Sequence, residues 1–209
     1  MTIATDWTIK ANPSNLNAIQ NWARNFKRVT LSPTMGISTA TLATAIQAVK
    51  VVVSVYDGYE KGRFMKTDEA VRSEIQRRCE MLNRHAEKLE RDCHEKGFRN
   101  ARQSLGRIIE STQTSRRDAQ FALSGTSLSS HSGIGKLKAK AVRKLVEHDS
   151  ASLNSLVEAT RMGNALAEAA GQSSEEEILT LASEWHHKIT QARNHFLERN
   201  MFIDGLIKR

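Results

Sequence analysis

Little in this 209-residue sequence interrupts a helix. It has two prolines, Pro13 and Pro33, and aromatics make up only 5%. From Thr34 to Arg209 no pyrrolidine ring blocks helix formation, and Ala, Leu, Glu, Lys, Arg and Gln dominate. That composition predicts long helices. β-branched clusters are equally scarce: "VKVVVSV" is the one such run, and its setting is Ala-rich. Two cysteines, Cys79 and Cys93, do not make a disulfide scaffold and fit reduced thiols. The first residues lack a basic start followed by a continuous apolar stretch, so no secretory leader is read and the expected location is cytoplasmic.

Long apolar runs are limited to one, "GISTATLATAIQAVKVVVSVYDG" at residues 36–58, with Lys50 its single charge before Asp57. Residues 37–56 number 20, enough in principle to cross a bilayer. A central Lys costs about 2.5 to 3.5 kcal/mol on insertion, however, while each apolar residue recovers only about 0.3 to 0.6. Four hydroxyl residues between 38 and 44 and Gln47 add little. The expectation is a bundle helix over 36–57, covered on all sides by neighbours.

What the chain does have is periodicity. Val71, Ile75, Cys79, Leu82, Ala86, Leu89 and Cys93 step by three or four residues, and Gly97, Ala101, Leu105, Ile108, Thr112, Ser115, Ala119 and Ala122 continue the pattern. The mean step is 3.64 residues, close to the helical period. One helix over 64–123 is expected, with Gly97 or Gly106 as places for a kink. "LSGTSLSSHSGIG" supplies a turn at 124–135, a helical region at 136–170 follows, and "EHDSAS" is a place where it could restart. After Gly171, Ser173 or Ser174 caps a C-terminal helix over 173–208, with Glu175, Glu176 and Glu177 at its positive start. Residues 1–35 read as an N-terminal arm with a short helix, and 36–209 as the body. The fold class expected is all-α: an elongated helical bundle or long antiparallel coiled-coil-like hairpin.

Charge is unevenly placed. Of a net +8, all is confined to residues 91–144, which hold 12 Lys and Arg against 4 Asp and Glu. A block of this kind points to a polyanion. Arg116 and Arg117 precede the turn; Lys136, Lys138, Lys140, Arg143 and Lys144 follow it. Lys96, Arg99, Gln103 and Arg107 step along one helix face. Together with the N–H groups of Gly133 and Gly135, the cations among these residues are the candidate polyanion-binding set.

"GIGKLKAKAV" resembles the Gly-hydrophobic-Gly hairpin and following helix of the helix-hairpin-helix DNA-binding motif, with Gly133, Ile134, Gly135 and Ala139 at the matching places. The resemblance implies backbone N–H contacts to a DNA phosphate without sequence preference. His131 stands where that family usually has an apolar residue. "LVEATRMGNALAEA" is a poorer copy, matching at Gly163 and Ala167 but with Arg161 in place of the first Gly. An ordinary Ser/Gly turn accounts for the same residues.

Catalytic signatures are missing. The stretch "SGIGKLK" fails as a phosphate loop, because Ser130 and Leu137 stand where Gly and Ser or Thr are required. Glu184 and His187 form one Glu-x-x-His pair without a second, and Cys93 and His94 point apart on a helix. The reading is a non-enzymatic interaction protein with no cofactor and no metal, binding nucleic-acid phosphate first. Two alternatives stay open: a membrane-active helical protein that uses residues 37–56 on anionic lipid, and a pure scaffold. A homo-oligomer or another helical protein is the expected partner of the stripes.

Overall fold

The stripe from Val71 to Cys93 is a core. Each of its seven residues is at most 2% exposed in the computed structural model of the chain. The structure describes residues 39–54, 56–59, 64–122 and 137–207. The N-terminal arm expected over 1–35 lies outside them. Among the described residues there are five helices and no strand: α1 Thr39–Val52, α2 Phe64–Glu95, α3 Arg99–Phe121, α4 Ala139–Ala169 and α5 Glu175–Ile207. The fold is an all-α helical bundle.

The single helix expected over 64–123 is two helices. Gly97 has φ +75°, and Phe98 N–H donates to Cys93 O at 2.9 Å while Gly97 N–H donates to His94 O at 3.1 Å. These two bonds form a Schellman motif, which ends α2 with a left-handed glycine. The chain then reverses at once. Thr112 Oγ1 on α3 donates to Asn83 Oδ1 on α2 at 3.1 Å, and Arg102 pairs with Glu90, so α2 and α3 form an antiparallel hairpin. Ala101, Leu105, Ile108, Thr112, Ser115 and Ala119 continue the buried stripe on the second arm.

α4 and α5 form the second hairpin, tied by Lys188 to Glu158 at 2.9 Å and by Ser152 Oγ to Ala192 O at 3.1 Å. Gly163 lets Trp185 press against α4: a Cβ there would lie 2.7 Å from Trp185 Cζ2. The Ser174 hydroxyl accepts from Glu177 N–H while the Glu177 carboxylate accepts from Ser174 N–H, a capping box at the start of α5. The interruption expected at "EHDSAS" does not occur. α4 runs through it, and Asp149 lies buried in mid-helix.

The hairpins pack through parallel helices. α3 and α5 touch at residue pairs 74 or 75 apart: Asn100 and Ala101 with Glu175, Ser111 with His186 at 2.9 Å, and Asp118 with Arg193 at 2.6 Å. α2 likewise packs beside α4, where Ile75, Cys79, Ser152 and Leu156 line one small void. It follows that the C-terminal end of α3 and the N-terminal end of α4 lie at the same end of the bundle.

α1 is not covered on all sides. It rests on α4 with Val49 and Val53 buried, while Ala43, Gln47, Ala48, Lys50 and Val51 face outward, Val51 at 89% exposure. Its Lys50 thus reaches the surface. Among the described residues no helix is long and apolar enough to cross a membrane.

Candidate polyanion-binding end

The bundle gathers part of the candidate set. Arg116 and Arg117 sit in the last turns of α3; Lys138, Lys140, Arg143 and Lys144 sit at the start of α4. All six therefore share one end, and all but the half-buried Arg143 are exposed. Gly133, Gly135 and Lys136, with the first helix-hairpin-helix resemblance, lie outside the described residues. Asp118, the acid next to Arg117 in sequence, is already held by Arg193. Lys144 places its Nζ 4.9 Å from the centre of the Phe202 ring, which fixes the ammonium over α5.

Three candidates do not join them. Lys96 and Arg99 flank the Gly97 turn at the opposite end, and Arg107 is exposed part-way along α3. Seventeen residues of helix separate Arg99 from Arg116, about 25 Å. Lys96 also has another task. Its Nζ donates to Ala170 O at 2.5 Å and Gly171 O at 3.2 Å, capping the carbonyl end of α4. A capping ammonium suits the negative end of a helix dipole. Reciprocally, Glu175 of α5 accepts from Asn100 N–H at 2.7 Å and Ala101 N–H at 3.3 Å, where Phe98 offers α3 no side-chain cap. The second resemblance, around Gly163, falls inside the unbroken α4 and forms no hairpin.

Beneath the basic end lies a polar cluster that sequence reasoning missed. Arg199 is fully buried; its Nε donates to Asp149 Oδ1 at 2.5 Å, and its Nη2 donates to Asp68 Oδ1 at 2.6 Å and to the Tyr59 hydroxyl at 2.7 Å. Tyr59 and Tyr56 donate in turn to Asp149 Oδ2, at 2.6 and 2.9 Å. Arg72 Nε donates to Asp68 Oδ2 at 2.9 Å. Two carboxylates thus face two guanidiniums, and the formal charge closes to zero. Burial, then Asp149, pushes the Tyr56 hydroxyl far above the usual phenol range. Burial does the same to Tyr59, against the opposing pull of Arg199 and with the help of Asp149. Burial alone would lower the Arg199 pKa, but Tyr59, Asp149 and Asp68 around it hold it well above the ordinary value.

The loop after α1 is shaped for this cluster. Gly58 and Tyr59 both have positive φ, +65° and +62°, which a tyrosine seldom adopts. Its bonds to Asp149 and Arg199 hold it there. A signal for the cluster does exist in the sequence. Asp68, Asp149 and Arg199 each stand three or four residues from buried neighbours, Val71, Leu145 and Phe196, at positions where the stripes demand an apolar side chain.

The thiols offer no chemistry at this end. Burial pushes the Cys79 thiol up to about 12 and raises that of Cys93 as well. Glu184 and His187 are both exposed on α5. Compared with known protein families, curated proteins and solved structures, the chain matches none.

Proposed function

We propose that the chain is a non-enzymatic helical interaction protein that holds a polyanion, nucleic-acid phosphate first, at its basic end. One observation carries the reading: the six described cations that flank the 123–136 link in sequence lie at one end of the bundle, and Asp118, the acid next to Arg117 in sequence, is already paired. Lys and Arg side chains on a rigid helical frame bind phosphate by charge, without reading bases. The working set is Arg116, Arg117, Lys138, Lys140, Arg143 and Lys144, with Gly133, Gly135 and Lys136 as candidates in the link. Lys96, Arg99 and Arg107 drop out of it.

The test is fluorescence anisotropy of a rhodamine-labelled DNA duplex titrated with the protein at several salt concentrations. For four phosphate contacts, log affinity should fall against log salt with a slope of about −3.6, roughly a hundredfold loss from 50 to 200 mM. Scrambling the duplex sequence should change nothing. The triple reversal Lys138→Glu, Lys140→Glu and Lys144→Glu should abolish binding with an unchanged circular dichroism spectrum. A salt-independent affinity would overturn the reading. Retention on anionic vesicles in high salt, with no DNA shift, would replace it with lipid binding.

A further inference from the structure

Next to Lys144 the surface carries a second group of titratable side chains. His148 lies one turn along α4, and His195 and Glu198 face it from α5. Both imidazoles close on one carboxylate: His148 Nδ1 is 3.9 Å from Glu198 Oε2, and His195 Nδ1 is 3.7 Å from the same oxygen. The ring of Phe202 joins this group to the basic end, lying 6.1 Å from the His148 ring and under the Lys144 ammonium.

The charges around the pair can be accounted for element by element. On α4, Lys144 and Asp149 act on His148; on α5, Glu198 and His195 do. Asp149 faces inward and is taken by Arg199 and the two tyrosines. From α2, Asp68 and Arg72 reach the region only through Arg199. On the α3 side of α5, Arg193 is paired with Asp118, and Lys50 on α1 is exposed. Among the described residues, the surface charges that act on His148 are the anion Glu198 and the cation Lys144, besides His195. With both rings neutral these cancel. With both protonated, the group adds two positive charges beside Lys144.

We infer that His148 and His195, closing on Glu198 beside Lys144, are a pH-sensitive extension of the basic end that strengthens its grip on phosphate below neutral pH. The inference rests on the polyanion reading above. Imidazole is the side chain whose ordinary titration falls in this range. Burial holds His148 below the usual imidazole value, against the pull of Glu198, so it takes up its proton toward the acid end of the range.

The experiment uses the full chain and the same rhodamine-labelled duplex at fixed ionic strength, between about pH 5.5 and 7.5. The dissociation constant should fall on the order of tenfold toward the acid end, and the salt slope should steepen by up to about 1.8. The double variant His148→Gln and His195→Gln should keep its neutral-pH affinity and change less than about twofold across the range. Glu198→Gln should bind tighter than the unaltered chain at pH 7.5, by roughly threefold, because it leaves Lys144 unopposed. If the double variant fails to fold, the single His195→Gln change carries the test with half the effect. Salt-sensitive binding that ignores pH, or a double variant that titrates like the unaltered chain, would overturn the histidine inference and leave the polyanion reading standing. No binding at any pH would overturn both.

Discussion

Arg199 shows how much one side chain decides here. A fully buried guanidinium is tolerated because Asp68, Asp149 and Tyr59 surround it. Removing one member strands the rest. Asp149→Asn should therefore destabilise the protein by about 3 to 5 kcal/mol, measured by urea unfolding, and Tyr56→Phe by less, since it removes one donor and no charge. His148 makes the opposite kind of claim. Its folded-state pKa is depressed by burial, so the unfolded chain binds its proton first. Stability from this residue is fully present above about pH 6.5 and is lost as pH falls through the folded value. His148→Gln should flatten the acid limb of a melting-temperature profile. The three buried charges were legible in principle, because each occupies a stripe position. Periodicity counts apolar residues, however, and passes over a charge whose partners are distant in sequence.

At the scale of elements, the period was right and the continuity wrong. From Cys93 to Ala101 is eight residues, two helical steps of four, and the Gly97 turn lies wholly inside that gap. A reversal whose length matches the helical repeat leaves no mark on the spacing of apolar side chains. Gly97 carried the missing information, and Gly106, which lies off the stripe, carried none. Gly97→Ala should cost about 1 kcal/mol, all of it backbone strain, since nothing lies within 4 Å of the added methyl. Gly106→Ala, in the exposed middle of α3, should stabilise by nearly as much. Shifts of opposite sign in the urea midpoint would separate a turn glycine from an incidental one. α1 misled differently. Its hydroxyl and alanine residues left no polar face to see, yet among the described residues Val49, with Val53 just past its end, is what it buries.

For the whole molecule, the sequence made the class plain and hid the topology. Low proline, few aromatics and two long stripes lead directly to helices that pack on one another. Nothing local reveals that α3 runs beside α5, because that seam joins residues about 75 positions apart. The same seam explains the candidate site. It brings the two ends of the 123–136 link together and carries Lys96 to the far end, where a cation that looked available for a ligand instead closes a helix. Charge reversal at Lys138, Lys140 and Lys144 should thus remove binding, while Arg99→Glu and Arg107→Glu should change it little in the same anisotropy titration.

The buried cluster also bears on how the chain finds this arrangement. Each hairpin closes on contacts nearer in sequence than those that join the two. Arg199 reaches Asp149 across 50 positions, Asp68 across 131 and Tyr59 across 140. Its partners therefore belong to both hairpins and to the loop after α1. A docking displaced by one helical turn would satisfy the apolar stripes nearly as well, yet it would seal a guanidinium in the core without its carboxylates. The cluster thus favours one register: greasy surfaces bring the hairpins together, and a displaced alignment would carry the cost of an unpaired buried charge.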